Sequence, residues 1–258
     1  MWLTQVTEAT NKGHDALLRY YADHNEETLK HCVILFNDAL LSCLDEHSCR
    51  AAALCNLARA EFTTYRSFGT PHHFEEAMAH YRKALELRRD DHQDRPMTLL
   101  CLAQVFLYRS GTMGLDTSHD DEICKLLHEL KNICPEGTHG RRAADVAFQT
   151  HELLGLRDSD DLGKLNKLIS ILDAAAQEPP DMYFDRPVRF NNLGLALQMR
   201  FQLGGNTVDL DRAIEWFQKA VQFTPTKHPD KSGYLSNLSN ALLARSQREC
   251  AVPLTGKQ

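Results

Sequence analysis

The side chains best equipped for chemistry in this sequence are eight cysteines and thirteen histidines. The cysteines are Cys32, Cys43, Cys49, Cys55, Cys101, Cys124, Cys134 and Cys250, and no two stand closer than six residues, so no CxxC pair exists. Zinc sites and redox motifs space their thiols more tightly. Several of these thiols fall inside apolar helical patterns and are expected to be reduced core groups rather than disulfide partners or metal ligands. A thiol–imidazole pair of Cys55 with His14 or His31 would need the fold to bring them together, and no spacing requires it. His72 and His73 are adjacent and point to different faces of any regular element, which disfavours chelation. The run His119, Asp120, Asp121, Glu122 has the composition of a metal site, but acidic residues at the start of a helix are what its dipole favours. Gly163-Lys164 and Gly256-Lys257 lack the upstream glycine of a phosphate loop, and GxGxxG, GxSxG and HExxH are missing. No catalytic residue, metal or cofactor is expected, and the chain reads as a non-enzyme.

What remains is hydrogen-bonding chemistry. Asn11, Asn56, Asn192 and Asn237 share one place in a column with Cys101 and Asp145. An asparagine carries both donor and acceptor, so a ladder of them can pair with a peptide backbone without reading its side chains. Asparagine also competes for the helix backbone, so its recurrence calls for a reason. The alternative reason is that these amides bridge neighbouring repeats or bond water. One turn further on the column reads His14, Arg59, Gln104, Phe148, Leu195 and Asn240, with Arg59 suited to a carboxylate. A third column, Arg19, Arg109, Arg200 and Arg245, fits a cation late in a helix, or a salt bridge to the following helix.

These columns exist because the chain repeats. Ala77, Tyr81, Ala84 and Ala213, Phe217, Ala220 each place a small, an aromatic and a small residue on one helical stripe, and Cys32, Phe36, Ala39 is a third copy. A Leu–small pair follows each stripe after a constant step: Leu57-Ala58, Leu102-Ala103 and Leu238-Ser239. The small residues Gly13, Ala58, Ala103, Ala147, Gly194 and Ser239 are 45, 45, 44, 47 and 45 apart. Such self-similarity marks a repeat whose units are helix pairs, each unable to bury its apolar face alone. First helices are expected near 5–22, 50–66, 95–109, 141–154, 187–202 and 231–247, and second helices near 27–44, 73–88, 119–133, 161–176 and 209–223. Asp94, Asp185 and Asp230 are expected as N-caps, with Pro96 and Pro187 in the first turn. Ile123, Leu127 and Leu165 replace the small residues of the stripe, which leaves the register within 110–180 open.

Leu193-Gly194, Ala213, Phe217, Ala220 and Pro225 resemble the tetratricopeptide repeat. The period is similar to the long repeats of kinesin light chains and of fungal tetratricopeptide arrays. "DLDRAIEWFQKAV" and "HPDKSGYLSNLSNALLAR" look especially like the latter. The resemblance implies an all-α solenoid, a right-handed superhelix of antiparallel helix pairs over residues 1–249 with a tail at 250–258. It also implies a concave first-helix face that binds an extended peptide or a protein. Asn11, Asn56, Arg59, Asn192, Asn237 and Asn240 are the peptide-binding candidates. Members that clamp chaperone tails carry a lysine one position before the Asn. Here that place holds Thr10, Cys55, Leu100, Ala144, Asn191 and Ser236, which argues against such a ligand. A second expectation is an oligomerising or regulatory arm whose effector lies elsewhere, since similar fungal arms accompany separate effectors. Cys250–Gln258 is too short for a following second helix, so Leu235, Leu238 and Leu242 on the last helix would lack cover on one side, and the chain is expected to be a fragment or to dock its end on a partner or on another copy.

Composition agrees with a cytoplasmic scaffold. A net charge of −6 disfavours a general nucleic-acid surface. No run of about 18 apolar residues would cross a membrane, and the start of the chain lacks a secretory pattern.

Overall fold

The structure, a computed structural model, describes residues 2–44, 47, 49–113, 119–177, 186–226, 228 and 230–251. All regular structure among them is helical. The helices are α1 (Trp2–Asp23), α2 (Glu26–Ser42), α3 (Arg50–Phe68), α4 (Pro71–Leu87), α5 (Arg95–Met113), α6 (Asp120–Ile133), α7 (His139–Gly155), α8 (Leu162–Gln177), α9 (Arg186–Gly204), α10 (Thr207–Phe223) and α11 (Lys231–Ala251). Odd-numbered helices are the first members of the pairs and even-numbered ones the second. Their bounds fall within a few residues of those expected from the spacing.

Packing divides the chain into two compact units, residues 1–147 and 148–258, with the division inside α7. In the first unit α1 to α6 pack in succession, α1 also meets α3, and α3 also meets α5. In the second unit α8, α9, α10 and α11 pack in succession, and α9 meets α11. Contact is with neighbours in the stack, as in a solenoid.

The stripe on the second helices makes the core. Cys32, Phe36 and Ala39, then Ala77, Tyr81 and Ala84, then Ala213, Phe217 and Ala220 are all buried. In the stretch whose register the sequence leaves open, the stripe is Ile123, Leu127, Leu130 and Leu165, Ile169, Leu172, all buried at the same i, i+4, i+7 spacing. The first of these stripes starts one residue later than the outer repeats dictate, and the second one residue earlier.

Gly13 and Gly194 show why a small residue faces the aromatic. A Cβ on Gly13 would lie 2.6 Å from Cε1 of Phe36, and one on Gly194 would lie 2.6 Å from Cε1 of Phe217. Both rings are fully enclosed, so the glycines let the paired helices close onto them.

The turns use recurring devices. His24, Gly69 and Gly205 sit just past α1, α3 and α9 in the left-handed region, at φ 54°, 70° and 70°. Each N–H bonds back to the carbonyl of Tyr20, Tyr65 or Phe201. Three second helices, α2, α8 and α10, start on side-chain caps, whereas α4 and α6 do not. Asn25 Oδ1 accepts from the Glu27 amide at 2.9 Å, Asn206 Oδ1 from Val208 at 3.1 Å, and Asp161 Oδ1 from Lys164 at 2.9 Å.

First helices start differently. Asp94 and Asp230 stand at the N-cap positions, where their backbone carbonyls accept from Thr98 and Tyr234, and Asp185 lies outside the described residues. Their own N–H groups, like that of Cys49, donate to a histidine Nδ1 two residues back: His47, His92 and His228. A basic residue near the start of each first helix then reaches back to the end of the preceding second helix. Arg50 donates to Cys43 O, Arg95 to Leu85 O and Arg88 O, and Arg141 to Lys131 O. Arg189 donates to Ala175 O, and Lys231 to Val221 O and Thr224 O. Each cation meets carbonyls at the end of a second helix, where the macrodipole is negative.

Candidate functional site

The first unit carries the candidates Asn11, Asn56 and Arg59. Two depressions open between α1 and α3. One, about 220 Å³, is lined by Leu3, Thr7, Thr10, Asn11, Cys49 and Asn56 among others. The second, about 370 Å³, is lined by His14, Leu17, Leu18, Tyr21 and Arg59. Leu3, Thr7, Thr10, His14, Leu18 and Tyr21 follow one another at steps of three and four, so they form one stripe of α1. Ala52, Asn56 and Arg59 form the facing stripe of α3. The two depressions therefore succeed one another along the same pair of helices, the α1–α3 trough. Arg59 Nη2 donates to His14 Nδ1 at 3.0 Å. Burial, and then the Arg59 charge, hold His14 below its ordinary pKa, which keeps its Nδ1 an acceptor. The His14 ring is steadied by an edge contact on Phe36 at 5.1 Å. Asn11 and Arg59 are exposed and Asn56 is half-buried.

The other candidates are differently placed. Asn192 is buried, 4% exposed, and its Nδ2 donates to Thr150 Oγ1 on α7 at 2.8 Å. Asn237 is half-buried and donates to Asn191 Oδ1 on α9 at 2.8 Å. In the second unit these two amides thus tie neighbouring first helices together. Asn240 is exposed on α11. At the remaining places of that column, Asp145 pairs with Lys131 at 2.9 Å, and burial pushes the Cys101 thiol up to about 11.

The arginine column is structural. Arg200 grips the buried carboxylate of Asp209 with two N–H groups at 2.8 and 2.6 Å, and its third contact is Asn166 Oδ1 on the preceding second helix at 2.8 Å. Arg109 reaches Glu75 on α4 at 3.3 Å and lies 4.3 Å above the Phe74 ring. Arg245 pairs with Asp211 on α10 at 3.8 Å. Arg19 bonds within its own helix, to Asp15 O at 3.4 Å. The salt bridge expected to the following second helix is found at Arg200, whereas Arg109, Arg200 and Arg245 all share a reach to the preceding one.

The groups that resemble reactive centres are occupied by packing and ion pairs. Glu122 accepts two N–H groups from Arg82 at 2.8 and 2.6 Å, and His119 packs on the Phe106 ring at 4.7 Å. His73 bonds to the buried Glu61 across α3 and α4, while His72 faces Glu76 at 3.9 Å. Cys55 contacts Arg88 Nη1 at 3.3 Å and Thr98 Oγ1 at 3.7 Å rather than a histidine. Among the described residues no three His, Cys, Asp or Glu side chains are arranged to hold a metal ion, and no helix is long and apolar enough to cross a membrane.

Comparison with known proteins bears on the fold. No protein-family model matches the sequence, and no curated protein matches it. A solved structure does match, described as "Crystal structure of Podosopora anserina putative kinesin light chain nearly identical TPR-like repeats". It superposes with a TM-score of 0.54 at 16% identity, over 83% of this chain and 97% of that one. Successive helix pairs, small residues against enclosed side chains at a recurrent spacing, and this likeness agree: the chain has the fold of a tetratricopeptide-type helical repeat protein.

Proposed function

We propose that this chain is a non-enzymatic interaction scaffold that binds an extended peptide or a peptide segment of a partner protein along the α1–α3 trough. One observation carries the reading. The second helices spend their apolar stripe on the core, while the first helices of the opening repeats leave two successive polar-and-apolar depressions with Asn11, Asn56 and Arg59 along them. Arg59 supplies a fork for a carboxylate, His14 orients that fork, and Leu18 and Tyr21 offer apolar surface beside it. Asn11 and Asn56 supply paired donors and acceptors for a peptide backbone. The amides of Asn192 and Asn237 act chiefly between helices, so the guest is centred on the first unit. A peptide array probed with the full chain and with Asn56→Ala/Arg59→Ala tests this. Peptides that bind the parent and lose at least about tenfold on the double variant, at unchanged melting temperature, are expected. Equal binding by both proteins would refute it.

A second reading, self-association through α11, is favoured by Leu235 and Leu243, which are 44% and 57% exposed. Leu238 and Leu242 instead pack against the core of the second unit. A light-scattering mass of one chain at high concentration would set this reading aside.

A further inference from the structure

The turn between α2 and α3 gathers three reactive groups. Cys43 ends α2 and Cys49 precedes α3, and their Sγ atoms are 3.0 Å apart. His47 Nδ1 lies 3.0 Å from Cys49 Sγ. The backbone N–H of Cys49 also donates to that same Nδ1 at 3.2 Å, so Nδ1 carries its lone pair and can accept the thiol proton. Cys43 is buried and Cys49 half-buried. The geometry points to a reversible redox site, in which Cys49 is oxidised by a peroxide and Cys43 closes a disulfide onto it.

The chemistry balances. His47 takes the Cys49 proton and leaves a thiolate, which is the nucleophilic form. The thiolate sulfur attacks one peroxide oxygen. An S–O bond forms, the O–O bond breaks, and the departing hydroxide takes the proton back from the imidazolium as water. Cys49 is now a sulfenic acid. The Cys43 sulfur then attacks it, so that an S–S bond forms, the S–O bond breaks, and the hydroxyl leaves with the Cys43 proton as a second water. Two thiols have lost two electrons to one peroxide, and a dithiol reductant reverses the step.

The order of events follows from the surroundings. Burial, then the bond to Cys49, push the Cys43 thiol up to about 12, so Cys43 is not the group that meets the oxidant first. Cys49 is reached from outside, since it lines the smaller depression with Asn11 and Asn56. Cys32, by contrast, is enclosed against Gly13 O, and burial pushes it up to about 12. The bond requires the sulfurs to close by about 1 Å, since a disulfide spans about 2.0 Å.

The test is mass mapping of the full chain after a short exposure to hydrogen peroxide, then alkylation and cleavage after Glu46, which separates the two cysteines. A cross-linked pair of fragments carrying Cys43 and Cys49, lost on treatment with dithiothreitol, is expected. His47→Gln should slow the cross-link at least about tenfold at neutral pH while far-UV circular dichroism stays unchanged. Cys43→Ser should instead let Cys49 be trapped by dimedone as the sulfenic acid. Over-oxidised Cys49 with no cross-link in the parent chain, or cross-links between other cysteines only, would overturn the site. An unchanged rate in His47→Gln would overturn the base. None of these readouts involves a peptide ligand, so they stand or fall independently of the scaffold reading.

Discussion

Replacing Gly194 by alanine should unfold the second unit more easily, although alanine is the better helix former. Gly194 is inside α9, where Gly→Ala gains about 1 kcal/mol of helix propensity. The new Cβ, however, would stand 2.6, 2.7 and 3.0 Å from Cε1, Cδ1 and Cζ of Phe217, where ordinary contact starts at 3.4 Å. The ring is fully enclosed and in α10, so it cannot swing away without moving the helix. Overpacking of this kind costs about 1–3 kcal/mol, and an enclosed ring met at three atoms belongs at the upper end. The net expectation is a loss of about 2 kcal/mol, seen as a lower urea midpoint by far-UV circular dichroism with the slope unchanged. Gly233 supplies the control. It lies in α11 of the same unit, and a Cβ there meets nothing within 4 Å. Gly233→Ala should therefore raise stability by about 0.5–1 kcal/mol. The same change of residue should thus have opposite signs at two positions. If Gly194→Ala is neutral or stabilising, the close approach of α9 to the Phe217 ring is wrong. Combining Gly194→Ala with Phe217→Leu should recover part of the loss, since Leu127 occupies that place of the stripe in the third repeat, where the small residue is Ala103.

Three further predictions concern the turns and charges. Arg200→Met leaves the Asp209 carboxylate, 4% exposed at its side chain, without its two-pronged partner, and should cost about 2–3 kcal/mol in urea melts; a smaller loss than from Arg245→Met would contradict the buried pairing. Lys231→Met removes two bonds, of 2.8 and 2.7 Å, to the end of α10 and should cost about 1 kcal/mol, with faster amide exchange confined to the last turn of α10 and the start of α11. Burial holds His80 below its ordinary pKa, and His14 is lowered likewise. Both are neutral in the fold and bind protons more readily when unfolded, so their contribution is present above about pH 6.5 and is lost as pH falls through the lowered values. The melting temperature should drop between about pH 7 and pH 5, and His14→Gln/His80→Gln should flatten that slope.

The helices were legible because burial imposes a period. Gly13, Ala58 and Gly194 and their aromatic partners repeat a steric requirement, and a requirement that recurs is visible along one dimension. The middle repeats were less so. Ile123 and Leu165 fill the place of a small residue by spreading the packing over larger aliphatic side chains, and they stand one residue off the outer register. The asparagine column was legible as a column but not as a function. Whether an amide turns to a guest or to the next helix depends on what lies across the gap, and Thr150 and Asn191 lie 42 and 46 residues from Asn192 and Asn237. The basic residues that cap the second helices, Arg50, Arg95, Arg141, Arg189 and Lys231, recur in the sequence too. Their role stays hidden there because long side chains reach backwards to carbonyls that no residue type marks. The closeness of Cys43 to Cys49 is likewise a product of the turn and not of their six-residue spacing.

A guest chain in the α1–α3 trough would perturb the side chains that line it. The most direct measurement is a set of amide and side-chain NMR shifts on titrating the tightest peptide from the array into isotope-labelled protein. The largest changes should fall on Asn11, His14, Leu18, Asn56 and Arg59, with α2 and α4 nearly silent on their outward sides. Changes centred on the outward sides of α2 and α4, or on α11, would contradict it.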